Sequence, residues 1–130
     1  MNMIRLEHID IVCEDLAKSV EFYRKLGLAP EGTIDDETTV FMFNGDSDSP
    51  VRVELHQQVD NQKTGVDHIA LEVEDTDEAY AEGKFVGIDF LFEPLTNVQS
   101  GRRIVNVMDP DGVQMQFAKS VQRGEYKDWG

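Results

Sequence analysis

One cysteine, Cys13, stands in 130 residues, so the chain can form no internal disulfide. Cys13 lies in an apolar strand pattern and reads as a small buried hydrophobe rather than a nucleophile. Basic residues are scarce as well. There are 12 Lys and Arg against 26 Asp and Glu, a formal net charge of −14. That balance repels phosphate and excludes nucleic acid as a partner, and Arg102 with Arg103 is too small a cluster to offset it. No apolar run approaches the roughly 20 residues that a membrane-spanning helix needs. The opening stretch MNMIRLEHID lacks the apolar segment of a signal peptide, so a cytoplasmic location is expected, with no membrane partner. Low-complexity segments are missing too.

What the chain does have is an ordinary globular composition, 40% apolar and 29% charged. Its length fits one structural domain, or two small modules sharing a core. The second form is favoured by an internal repeat. LEHIDIVCEDLAKS, from Leu6, matches VDHIALEVEDTDEA, from Val66. Sixty residues apart, His8 falls on His68, Ile9 on Ile69, Ile11 on Leu71, Asp15 on Asp75 and Gly27 on Gly87. Each copy reads strand, acidic turn, helix, glycine, strand. The implied organisation is a first module over 1–58, a linker over 59–65, a second module over 66–120 and a polar tail over 121–130, in which Trp129 is the residue able to dock.

Asp15 and Asp75 are each placed to cap the helix that follows. In DLAKSVEFYRKLG, Leu16, Val20, Tyr23 and Leu26 share a face and Gly27 ends the helix. In DTDEAYAEGKFVG, Gly83 costs about 1 kcal/mol relative to alanine, which predicts a short or kinked helix. Strands are expected at 38–43, 51–57, 90–92, 103–107 and 113–119. DPDG, Asp109 to Gly112, supplies the last turn.

The strands also carry polar residues on one side. In VRVELHQQ, Val51, Val53 and Leu55 alternate with Arg52, Glu54 and His56. The closing strand VQMQFA repeats this pattern 62 residues later, with Glu54 falling on Gln116. By the same parity His8 opposes Ile9 and Ile11, and His68 opposes Ile69 and Leu71. With helices over the apolar faces, His8, Glu54, His68 and Gln116 all belong to the uncovered side of the sheet. Two imidazoles, a carboxylate and an amide oxygen are a donor set for one divalent transition metal, with Zn, Ni, Co, Mn and Fe all open. A lone strand histidine more often has a structural role. The shared parity and the repeat favour the joint reading.

On these stretches, LEHIDIVCEDLAKSVEFYRKLGL, VRVELHQQ, VDHIALEVED and DPDGVQMQF, the chain resembles the vicinal oxygen chelate superfamily. That group includes glyoxalase I, methylmalonyl-CoA epimerase, fosfomycin and bleomycin resistance proteins and extradiol dioxygenases. The resemblance runs from Leu6 to Lys119. It implies an α+β fold of two tandem βαβββ modules forming an open mixed barrel with a central cleft. It also implies metal ligands at His8, Glu54, His68 and Gln116, and a homodimer whose sites are shared between chains. The position of Gln116 is often glutamate in such proteins.

The function implied is that of a glyoxalase-like lyase or isomerase. It acts on a small substrate with vicinal oxygens, through an enediolate, with Glu54 as the catalytic carboxylate. Gln116 can coordinate but cannot take a proton. Two rivals remain: an iron-dependent ring-cleaving dioxygenase using His8, His68 and Glu54, and a non-catalytic protein that sequesters a ligand, such as an antibiotic. His56, Arg52 and Arg103, with Arg102, are candidates to meet substrate, against the plainer reading of solvated strand residues. Phe41, Phe43, Phe90 and Phe92 read as pocket wall or, more commonly, as plain core.

Overall fold

The computed structural model describes residues 2–34, 39–43, 51–97 and 101–119. The loop at 35–37, the loop at 44–50, residues 98–100 of the loop at 96–101 and the tail with Trp129 lie outside the described residues. So do the side chains of Phe41 and Phe43.

The element order is β1 (Met3–Cys13), α1 (Leu16–Lys25), β2 (Ala29–Ile34), β3 (Thr39–Phe43) and β4 (Arg52–Gln57), then β5 (Gly65–Val73), α2 (Thr76–Phe85), β6 (Leu95–Thr96), β7 (Arg103–Met108) and β8 (Gln114–Ala118). Each half therefore runs β-α-β-β-β, as the repeat implies. Among the described residues, His8–Asp67 form one compact unit. The other unit joins the N-terminal residues through Glu7 to the stretch that begins at His68.

In the unit His8–Asp67 the strands lie in the order β2-β3-β4-β1. β2 and β3 pair antiparallel, as do β3 and β4, while β4 lies parallel to β1. Asp15 caps α1, its carboxylate accepting from the Lys18 amide at 3.2 Å. Gln57, at the end of β4, ties down the same helix start. Its side chain accepts from the Leu16 amide at 3.0 Å and donates to the Glu14 carbonyl at 2.7 Å. The helix buries Leu16 and Val20 against Cys13, Val53, Leu55 and Met42. Ile11 and Cys13 thus face the helix, and by strand alternation His8, Asp10 and Val12 face away from it.

In the other unit the order is β5-β8-β7-β6. β5 and β8 are parallel, and β7 is antiparallel to both β8 and β6. Asp75 caps α2 by accepting from the Glu78 amide at 3.0 Å. Thr76 donates to the Arg103 carbonyl at 2.6 Å and holds the helix start against β7. The core here is Val73, Ala79, Val105 and Phe117, with Leu71, Tyr80, Phe90, Phe92 and Val107 packed around it. Asp109 builds the DPDG turn, its carboxylate accepting from the amides of Asp111 and Val113, each at 2.8 Å.

Two expectations change. α2 is ten residues long, the same as α1. Gly83 lies buried on its packed side, where the absence of a side chain suits close packing against the sheet. Phe90–Phe92 is not a strand. Phe90 makes a single bridge to Val107, and the edge strand comes later, at Leu95–Thr96. The rings are used for packing instead: Phe90 lies 4.9 Å from Tyr80 and 6.2 Å from Phe117, centroid to centroid.

Candidate functional site

Strand register decides which side chains can meet. In one unit β1 pairs with β4 so that Ile9 faces Val53 and Asp10 faces Glu54. In the other β5 pairs with β8 so that Ile69 faces Met115 and Ala70 faces Gln116. The two registers are the same once the repeat offsets are applied. His8 therefore stands to Glu54 as His68 stands to Gln116, each histidine two residues before the partner of its mate.

In the first pair the side chains touch. His8 Nε2 lies 3.0 Å from Glu54 Oε2. Both are buried, with residue exposures of 1% and 7%, although the sequence places them on a face free of helix. An imidazole nitrogen and a carboxylate oxygen at this spacing share a proton or present two lone pairs to a common cation. In the second unit Gln116 is buried and His68 half-buried. Asn106, opposite Gln116 on β7, is buried too and donates to the Gln114 side chain at 2.9 Å.

Two neighbours of Glu54 escape a reading based on the repeat. Asp10 shares the parity of His8 and is 3% exposed. Its Oδ1 lies 2.7 Å from His56 Nε2. His56 is accordingly held by a partner rather than left in solvent. The contact with Asp10 raises its pKa above the ordinary imidazole value, against the effect of burial, and the charges of Asp67 and Glu54 add to the rise. Asp10, His56 and Asp67 bring donor atoms within 4.8 Å of one another.

The arginines divide. Arg102 is buried and reaches Glu7 at 3.2 Å, a pair almost wholly removed from water. Arg103 extends on the other parity, alongside Val105. It grips Asp77 of α2 through Nε at 3.0 Å and Nη2 at 2.9 Å, and also donates to Thr96. That guanidinium is committed to the helix side of the sheet. Arg52 is half-buried on β4, with the parity of Glu54.

The chain is similar to known proteins. The profile of the Glyoxalase/Bleomycin resistance protein/Dioxygenase superfamily matches residues 7–105. An uncharacterized protein, YwbC of Bacillus subtilis, is 28% identical over 120 residues, which is 87% of this chain and 95% of that one. A Streptomyces coelicolor methylmalonyl-CoA epimerase variant, solved with 2-nitronate-propionyl-CoA, is 25% identical. The match covers 93% of this chain and all of that one, with a TM-score of 0.76. The methylmalonyl-CoA epimerase of Mycobacterium tuberculosis is 20% identical over 92% of this chain and 90% of its own, at a TM-score of 0.74. At that identity the likeness is one of fold. No helix among the described residues is long and apolar enough to cross a membrane.

Proposed function

The chain belongs to the Glyoxalase/Bleomycin resistance protein/Dioxygenase superfamily, and on that premise we propose that it is a metal-dependent isomerase or lyase. It moves a proton on a carbon next to a carbonyl, through an enolate-like intermediate. The observation that carries this reading is the identical register of the two halves. That register sets His8 with Glu54 and His68 with Gln116 at equivalent positions.

On this reading the four donors serve one divalent ion. His8 and Glu54 are already 3.0 Å apart and shielded from water. Gln116 and His68 carry an amide oxygen and an imidazole at the equivalent positions of the other unit, and the proposed set of mixed N and O donors suits zinc, nickel, cobalt, manganese or iron. An ion held by these residues would supply Lewis-acid stabilisation of the negative charge that develops on the substrate's oxygens. Glu54 takes the proton from the carbon and returns it, the carboxylate among the four donors able to do so. Burial of Glu54 excludes competing water and strengthens its interaction with developing charge. Gln116 orients and does not exchange protons, which makes the transfer one-sided.

The similarity to methylmalonyl-CoA epimerases extends the reading to substrates with a carbonyl and a second oxygen in reach of one ion. Methylmalonyl-CoA and the hemithioacetal of methylglyoxal with glutathione are the two to try. The test is hydrogen–deuterium exchange at the activated carbon of each, followed by NMR with the metal-loaded, untagged protein. Exchange with either, abolished by a chelator and restored by metal, supports the function. Absence of exchange with both, together with oxygen uptake on catechols, favours the dioxygenase reading instead.

A further inference from the structure

We propose that Asn106 sets the specificity of the site proposed above, accepting a hydrogen bond from a hydroxyl on the substrate carbon beside the reacting carbonyl, an inference that rests on Gln116 belonging to that site. Asn106, Gln114 and Gln116 lie in one unit. On β7, Val105 and Val107 pack in the core, so Asn106 points from the other face of the strand. Gln116 stands directly opposite it in register. Side chains so opposed have Cβ atoms about 4.5–5.5 Å apart, close enough for one small substrate to touch both. Asn106 is 7% exposed. Its amide nitrogen donates to Gln114 Oε1 at 2.9 Å. Its amide oxygen is buried and has no hydrogen-bond partner among the described residues.

A buried acceptor without a donor weighs against folding, because water has been removed and nothing replaces it. The module does not require an amide there. In the other half the register partner of Glu54 is a phenylalanine, Phe41. The repeat also sets Gln114 against Arg52 and Gln116 against Glu54. Where one half has an arginine, a glutamate and a phenylalanine, this half has three carboxamides. Carboxamides hold no net charge and suit a neutral group that can donate. A hydroxyl donates to the Asn106 oxygen. A substrate carboxylate presents only lone pairs to it and leaves it unsatisfied. Asn106 therefore favours a hydroxyl-bearing carbonyl compound over a malonyl thioester, whose reacting end offers acceptors alone.

The experiment compares matched thioesters by calorimetry on the untagged protein, with and without zinc chloride. S-lactoylglutathione carries a hydroxyl beside its carbonyl, and S-propionylglutathione lacks it. Lactoyl-CoA and propionyl-CoA repeat the comparison on a second carrier. Wild type is expected to bind the lactoyl member of a pair about ten-fold more tightly. Asn106→Leu, similar in size and without an acceptor, should bring the pair within about two-fold, and Asn106→Asp, which keeps an acceptor, should retain the preference. Urea titration separates this from a structural role: loss of the unpaired oxygen should leave the Asn106→Leu midpoint no lower than that of wild type. Asn106→Phe, with the residue of the other half, takes its place if that variant is unfolded. Equal binding of lactoyl and propionyl compounds by wild type overturns the proposal. So does a lactoyl preference that survives in Asn106→Leu, and so does failure of every thioester to bind. Proton exchange at the activated carbon is read separately, so the proposed function stands or falls on its own result.

Discussion

Glu54 has two neighbours that bear on its chemistry, His8 at 3.0 Å across the strands and Asp10 opposite it in register. Glu54→Gln keeps the size and one coordinating oxygen but removes the base. It should lower the proton-exchange rate by about 10²- to 10⁴-fold with the circular dichroism spectrum unchanged. Cys13 makes the opposite kind of test. Burial pushes its thiol pKa up, outweighing a hydrogen bond from Ser19 that lowers it. The native protein should therefore react slowly with a thiol reagent at neutral pH and rapidly once unfolded in urea. Arg102 is the residue whose loss should cost most. Removing one partner of a buried ion pair leaves the other charge stranded, so Arg102→Ala should destabilise by about 3–5 kcal/mol in urea titration. That His8 and Glu54 share a side of the sheet was legible from sequence, because the repeat and strand parity both select them. Asp10 was not, because its counterpart is Ala70 and comparison of the halves discards what they do not share. Arg102 reads as a surface residue by type, and nothing local reveals that Glu7 lies against it, 95 residues away.

The helices begin where a carboxylate receives the first free amides, and both aspartates were readable as caps. Asp15→Ala and Asp75→Ala should each cost about 1 kcal/mol, seen as a lower urea midpoint. α2 is also held by Asp77, whose pKa is lowered chiefly by the hydrogen bonds from Arg103. The folded form therefore binds that proton less readily than the unfolded chain. The contribution is present above the ordinary aspartate pKa of about 3.9 and is lost as the pH falls below it. The stability gap between wild type and Arg103→Ala should be open at pH 6 and narrow below about pH 4. What misled at this scale was composition. Phe90 and Phe92 read as strand because aromatics favour strands, yet the property being read is burial. The rings satisfy it from an irregular segment packed under α2. Gly83 misled in the same way, since helix propensity weighs an exposed position and this one is packed.

At the scale of the whole molecule, a net charge of −14 on 130 residues is a uniform repulsion that folding compresses. Added sodium chloride should raise the melting temperature, most steeply over the range in which the screening length falls below about 10 Å. The repeat offers a second lever. Because the two registers coincide, Gln116→Glu puts a carboxylate at the position equivalent to Glu54. It should tighten metal binding in titration. The division of β1 between the two units, with Glu7 on one side and His8 on the other, has a further consequence for synthesis of the chain. Glu7 leaves the ribosome before its ion-pair partner, which is made 95 residues later. At about 5–20 residues per second, Glu7 waits several seconds unpaired while the unit that starts at His8 already has most of its own strands. The segment ending at Glu7 is thus among the last parts to settle, and a nascent chain stalled before Arg102 should carry that segment exposed to proteases.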